Sequence, residues 1–452
     1  MANAGLTDEQ RLTPKGRATR ERIVKAAADL ILTDGLAALN MDKLRTAASV
    51  SGSQLAHYFT DKQSLIRAVI SRQINVVLDF HRQPKLHGLD TFDDFERWIE
   101  LNMRYLRRIG YAGTPTYHAL AGQLAKSDPA TRETLAAGYW QWVELLEHAI
   151  ERMKGRGILS AEADPRQLAL VIVSVHQGGG TLTFTYRQEW PHADAVRFAV
   201  NYLRMFAADP AERVARPPRR PRGARARLVS HNASDHNAVQ FTRKGLATRA
   251  HIVDTAAQLM FRHGVMGTSI DGVRSAGSVS GSQIAHYFHD KRDLTRQVIA
   301  TRRNDVMAFH TQRRLGELDT FRALHAWADA GVADTEAVYR KGGCIFGSLA
   351  GELLEADDDV RDDLAAGYDQ WLELFRAGLS AMRDRADLTP DADPRHLAVA
   401  LVSAHQGGAM LTYATGSSEP FRAAVNAAVA YVRSFAAKAA STRATPRRKH
   451  KS

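Results

Sequence analysis

Apolar residues recur at helical spacing along the chain. Ile23, Ala27, Leu30 and Ile31 stand three and four apart and mark one face of a long helix. Gly35 closes it, because glycine tolerates the left-handed conformation of a helix C-cap. Met41, Leu44 and Ala48 define a short second helix, with Asn40 at the N-cap, where its side chain can accept an orphan backbone N–H. Ser49-Val50-Ser51 reads as a tight turn with Val50 as the buried pivot. Ser51 then caps a third helix in which Leu55 and Phe59 face inward, leaving Gly52, Ser53, Gln54 and Ala56 on or near the outer face. Asp61-Lys62 begins a long fourth helix. Asp128-Pro129 and Asp164-Pro165 each read as an N-cap followed by the first helical residue. The former opens a helix through Leu135, Tyr139 and Trp142, the latter one through Leu168, Val171 and Val175. A last helix is expected from about Ala193 to Phe206. The pattern predicts an all-α fold.

The same pattern then starts again. SVSGSQLAHYFTDK at 49–62 returns as SVSGSQIAHYFHDK at 278–291, an offset of 229. LAAGY at 135–139, Asp164-Pro165-Arg166, His176-Gln177-Gly178-Gly179 and Phe206 all recur at that offset. Between 15–62 and 244–291, 26 of 48 positions are identical, and within the short segment 12 of 14 are, so the front of each copy has changed least. The expected divisions are 13–85 and 242–315 for the front units, 86–209 and 316–440 for the bodies, 210–241 for a linker and 441–452 for a tail. In the second body Asp393-Pro394 opens a helix through Leu397, Leu401 and His405, and the last helix runs from Phe421 to Phe435.

The net charge of +12 points to a polyanionic partner, and its distribution sharpens the point. Residues 1–85 and 242–315 carry +5 and +7, the linker and tail +5 each, and the bodies −2 and −8. Two anion-binding units are each followed by a body with another task. The linker's seven arginines read either as a solvated tether or as nonspecific phosphate contacts. The longest clean apolar run, Leu168 to Val175, is shorter than the roughly 20 residues a membrane span needs, so no membrane partner is expected. No secretory signal is apparent, and the single cysteine, Cys344, fits a reducing cytoplasm.

A short helix with small residues at its exposed start suits the major groove. Gly52, Ser53 and Ala56 let the backbone approach base edges, and Gln54 can pair with adenine. TRERIVKAAADLILTDGLAALNMDKLRTAASVSGSQLAHYFTDKQSLIRAVI, residues 19–70, and its partner at 248–299 resemble the tetracycline-repressor (TetR) family of bacterial transcription regulators. The resemblance implies two reading helices, 51–58 and 280–287, and helical bodies that bind effectors and pair. It puts DNA contacts at Thr19, Ser51, Gly52, Ser53, Gln54, His57, Tyr58 and Lys62, and at Thr248, Ser280, Gly281, Ser282, Gln283, His286, Tyr287 and Lys291. Two departures stand out: Ser49 and Ser278 replace the usual turn glycine, and Ala56 and Ala285 replace a frequent tyrosine.

No catalytic set emerges, and neither a cofactor nor a metal is expected. His176 and His405 read as buried interface histidines, with effector contact as the alternative. Aromatic residues at helical spacing read first as core and second as pocket lining. On the second reading an effector meets Tyr105, Tyr117, Trp142 and His176, or Tyr339, Phe346, Trp371 and His405. Glu352, Glu355, Asp357, Asp358, Asp359, Asp362 and Asp363 read as a solvated helix start. Pro115 opposite Cys344 and Tyr186 opposite Thr415 suggest at most one ligand chemistry shared by the bodies, with both pockets or only one of them in use.

These observations predict a cytoplasmic, double-stranded-DNA-binding regulator, a repressor released by a small molecule. Its two copies would act as an intramolecular pseudo-dimer on a near-palindromic operator, with a homodimer of chains as the other assembly. The rival reading is a cytosolic ligand-binding or protein-interaction module whose helix-turn-helix units no longer read DNA.

Overall fold

The computed structural model describes residues 12–111, 116–218 and 241–437. Helices α1 (Pro14–Asp34), α2 (Met41–Ala47) and α3 (Gly52–Tyr58) form the first front unit, and α4 (Lys62–Arg82) leads from it into the first body. That body holds α5 (Phe92–Arg108), α6 (Tyr117–Leu124), α7 (Pro129–Gly155), α8 (Pro165–Tyr186) and α9 (Trp190–Arg204). The second front unit comprises α10 (Arg243–Gly267), α11 (Ile270–Ala276), α12 (Gly281–Tyr287) and α13 (Lys291–His310). The second body holds α14 (Phe321–Ala333), α15 (Arg340–Gly342), α16 (Gly347–Glu352), α17 (Asp358–Asp384), α18 (Pro394–Thr415) and α19 (Glu419–Arg433). The starts of α2, α3, α4, α7, α8 and α9 recur 229 residues later.

The expected signals end the helices where the chemistry requires. Asn40, Ser51, Asp61, Asp128 and Asp164 each accept a backbone N–H at a helix start. Gly35, at φ 84°, stops α1, and Gly264, at φ 75°, breaks α10 at the equivalent place. The last helices begin earlier than their apolar pattern suggests, at Trp190 and Glu419, because Pro191 and Pro420 fit the first turn, where a missing N–H costs nothing.

Helices α8 and α18 pack face to face at the centre of the molecule. A β-carbon on Gly178 would fall on the carbonyl oxygen of Ser403, and one on Gly407 on that of Ser174. Glycine is required at both places because two helix backbones touch there. A second glycine pair lies where α6 meets α16: a β-carbon on Gly122 would sit 2.7 Å from the Gly351 carbonyl oxygen. The outer helices complete the seam. Asn201 Nδ2 on α9 donates to Tyr431 Oη on α19 at 2.9 Å, and Tyr186 Oη donates to Asp369 at 2.7 Å. Helix α8 is long and apolar enough to cross a membrane, which the eight-residue run did not foretell, but 94% of its most apolar window is buried against neighbouring helices. It is the central core helix of the fold.

The linker is partly docked. Arg204 pairs with Glu212, Asn201 bonds to Arg216, and Arg213 donates to the Ala207 carbonyl at 2.8 Å. The remainder of the basic linker, the tail and Pro115 lie outside the described residues.

Candidate DNA-reading helices and effector cavity

Helices α3 and α12 have the same length and differ only at buried Leu55 and Ile284. Gly52, Ser53, Gln54, Ala56 and His57 are exposed, as are Gly281, Ser282, Gln283, Ala285 and His286, while Tyr58 and Tyr287 are half-buried. His57 and His286 stand edge-on to those tyrosines, with ring centroids 5.0 and 4.8 Å apart. Lys62 and Lys291 are half-buried, and desolvation pulls the Lys291 amine below its ordinary range.

Gln54 and Gln283 have a task the composition of the helix did not reveal. Gln54 Oε1 accepts the Ser51 N–H at 2.9 Å while Ser51 Oγ accepts the Gln54 N–H at 3.1 Å. Gln283 and Ser280 do the same. This Ser-x-x-Gln capping box takes one lone pair of the oxygen that bidentate adenine pairing would use, leaving the other lone pair and the amide N–H groups for a base. Thr19 and Thr248, expected at phosphate, are half-buried and donate to the carbonyls of Lys15 and Lys244, each at 3.0 Å. Ser49 and Ser278, at φ 51° and 50°, adopt the left-handed conformation that explains why glycine is usual there.

The acidic run of the second body is a solvated helix start only in part: Asp357 caps α17 and Asp358 and Asp359 stand exposed in its first turn, but other carboxylates of the run are spent on contacts with distant segments. Glu352 pairs with Lys126 of the first body at 2.9 Å and accepts the Val265 N–H at 2.5 Å. Glu355 accepts the Leu36 N–H at 3.0 Å. One carboxylate therefore caps the end of α1 and another the equivalent break in α10. Asp357 and Asp359 hold Arg292 of α13, and Asp363 holds Arg296. The Arg292 guanidinium keeps the Asp357 carboxyl down at about 2. The run escaped sequence reading because its cations lie far away in the chain.

In the first body a cavity of about 380 Å³ opens between α4, α5, α6, α7, α8 and α9. Tyr105, Tyr117, Trp142 and His176, four residues singled out from the sequence, line it. Reasoning from sequence missed His81, Asn102, His118 and His192 on the same wall. His81 Nδ1 donates to the Val77 carbonyl at 2.7 Å, and its Nε2 accepts from Trp98 at 3.0 Å and Trp142 at 3.3 Å. His310, Trp327 and Trp371 repeat this triad in the second body. Recurrence of all three residues at offset 229 was the available signal. Burial pushes His81, His118 and His310 down to about 4 and His192 to about 3, and holds His176 and His405 well below the usual range.

Of the second-body residues expected at an effector, Tyr339 and Trp371 pack on His405, and Phe346 packs on Tyr368. Tyr339 Oη and His405 Nε2 lie 2.8 Å apart, Trp371 stands edge-on to His405 at 4.9 Å, and Phe346 to Tyr368 at 5.2 Å. Cys344 is buried and free, and burial raises its thiol pKa. Among the described residues no group of three or more His, Cys, Asp or Glu is placed to hold a metal ion.

Two domain families match this chain: "Bacterial regulatory proteins, tetR family" over residues 23–69, and "Tetracyclin repressor-like, C-terminal domain" over residues 320–428. Both are domains of regulators, not of enzymes. The HTH-type transcriptional repressor DhaR of Mycobacterium sp. (strain GP1) is 21% identical over 173 residues, covering 38% of this chain and 85% of the repressor. A TetR transcriptional regulator from Chloroflexus aurantiacus is 24% identical, covering 43% of this chain and 98% of its own, with a TM-score of 0.40. The reduced form of E. coli NemR is 23% identical, covering 42% and 97%, with a TM-score of 0.36. The chain is all-α, carries TetR-like domains and has the general DNA-binding regulatory character of that family.

Proposed function

We propose that this chain is a transcriptional repressor that folds into its own pseudo-dimer: α3 and α12 read two near-identical half-sites, and a small molecule in the first body releases them. The observation that carries this reading is that α3 and α12 expose the same residues in the same conformation and are joined through bodies paired along α8 and α18. Two equivalent readers joined through paired bodies are what a palindrome calls for, its two half-sites lying about 34–36 Å apart when one helical turn separates them.

Base readout falls to Gly52, Ser53 and Gln54 and their partners Gly281, Ser282 and Gln283. Ser51, His57, Tyr58 and Lys62, with Ser280, His286, Tyr287 and Lys291, take the backbone, and Thr19 and Thr248 lie at its edge. Release follows from the position of the cavity. Gln73, Val77, Phe80 and His81 of α4 form part of its wall, and α4 carries the first reading unit. A molecule that fits only one position of α4 shifts that unit.

Selection of bound DNA from a random pool, followed by mass measurement of the complex, tests the reading. One chain on one near-palindrome supports it. A stable complex with two chains on every operator overturns the single-chain assembly. No preference for any sequence over competitor at moderate salt overturns the repressor and favours the ligand-binding module.

A further inference from the structure

We propose that each chain takes one ligand, in the first body alone, and that this ligand is a neutral, mostly aromatic molecule carrying a hydroxyl or N–H donor. The inference rests on the effector reading above and assigns the chemistry of its site.

The walls decide the ligand's character. Phe80, Tyr105, Trp142 and Phe184 give the cavity flat apolar faces. Its two charged lining residues, Asp79 and Arg108, are exposed, so no charge lies at depth to meet an ion. The unmet need inside is for a donor. Asn102 Nδ2 donates to the Trp98 carbonyl at 2.8 Å, which fixes the amide so that Oδ1 faces His176 Nε2 at 3.1 Å. His176 is neutral and spends its single N–H on that oxygen, leaving Nδ1 as a bare lone pair. Buried Nδ1 atoms of both His176 and His192 have no partner among the described residues. Their rings meet edge to face at 4.4 Å on the cavity wall. A buried acceptor without a donor is costly, so a ligand hydroxyl satisfies what the fold leaves open.

The second body has closed its counterpart. At offset 229, Asn102 becomes Gly331, Gly110 becomes Tyr339 and His192 becomes Phe421. The Tyr339 and Phe421 rings lie 4.4 Å apart and both pack on His405, the counterpart of His176. Phe421 also fills the space over Gly331, where a β-carbon would sit 2.9 Å from its ring. An aromatic side chain of the protein occupies the place that a ligand takes in the first body.

Calorimetric titration of the full chain with 2-naphthol and 4-phenylphenol tests this, with naphthalene and 2-naphthoate as comparisons. The expected result is one phenol per chain, naphthalene roughly tenfold or more weaker, and no heat from 2-naphthoate. His192→Phe, which installs the second body's own filling, should abolish binding. So should Gly180→Leu, which pushes into the His118 ring; circular dichroism checks that each variant is folded. Two phenols per chain, 2-naphthoate binding as tightly as 2-naphthol, no heat from either phenol, or binding that survives both folded variants would each overturn the proposal. Release from DNA is read separately. Phenol binding without release removes the effector reading and leaves this assignment standing, whereas release by 2-naphthoate does the reverse.

Discussion

Lys126 and Glu352 meet at 2.9 Å with each side chain only 4% exposed, joining the first body to the second. Lys126 also donates to Ser348 Oγ at 3.1 Å and lies over the Phe261 ring of α10. Removing one partner of such a pair strands the other charge in a dry site. Lys126→Met should therefore destabilise the chain by about 3–5 kcal/mol. Adding Glu352→Gln should recover part of that loss, since the amide oxygen still accepts the Val265 N–H. Urea unfolding of the single and double variants measures both, and a double variant no better than Lys126→Met would show that the charge is not the cause.

The glycine crossing should be equally intolerant. Gly178→Ala or Gly407→Ala forces α8 and α18 apart along a seam that has no slack, at a cost of about 1–3 kcal/mol or more each. Thermal unfolding checks this, with Gly155→Ala as the comparison, since a β-carbon there meets nothing within 4 Å.

Ser49 and Ser278 hold left-handed backbone that glycine adopts freely. Ser49→Gly and Ser278→Gly should each stabilise the chain by up to about 1 kcal/mol. The sites lie on separate front units, so the gains should add. Denaturant midpoints of the two single variants and the double variant decide it.

Acid should unfold the protein steeply. His81, His118, His192 and His310 are depressed to between about 3 and 4, and His176 and His405 also lie well below 6.5. The unfolded chain therefore binds more protons than the folded one below pH 6.5. Stability is full above that value and falls as pH drops toward 4, with each histidine adding up to about 1.4 kcal/mol per pH unit. Stability measured from pH 8 to 4 should be flat and then fall; a fall on the alkaline side would contradict the neutral histidine cores.

The reading helices give a two-part prediction. Gln54→Ala should cost about 1–3 kcal/mol of specific binding and relax one half-site. It also removes half of a capping box, so Gln54→Glu, which keeps the box, separates cap from readout. Lys62→Ala should weaken every sequence alike and lower the salt slope by about one. Binding measured on a panel of operator variants at several salt concentrations distinguishes the three.

Much of the fold was legible because its signals are local. Asp128-Pro129, Asp164-Pro165 and Gly35 mark helix ends through their own backbone chemistry, and the 229-residue offset is written in the chain itself. Four of the proposed effector contacts line a cavity because aromatic residues on a bundle face must border whatever space the bundle leaves. What stayed hidden is nonlocal. Glu352 looks like one more surface acid until Lys126 and Val265 arrive beside it. Gln54 looked free because a capping box binds backbone, which side-chain pattern does not display. The packing of Tyr339 and Phe421 on His405, where the first body has Gly110 and His192, stayed hidden too, because neither residue advertises its neighbours.

The ion pair between Lys126 and Glu352 has a consequence for how such a protein can change. In an assembly of two identical chains every substitution is made twice, and a lysine that improves one side of the axis burdens the other with the same lysine. A single chain escapes that duplication. At offset 229 Lys126 corresponds to Glu355 and Glu352 to Gln123, so the charges across the seam are not mirror images. One half is free to keep an open chamber while the other becomes its solid abutment, a division of labour that two copies of one gene product have no means to encode.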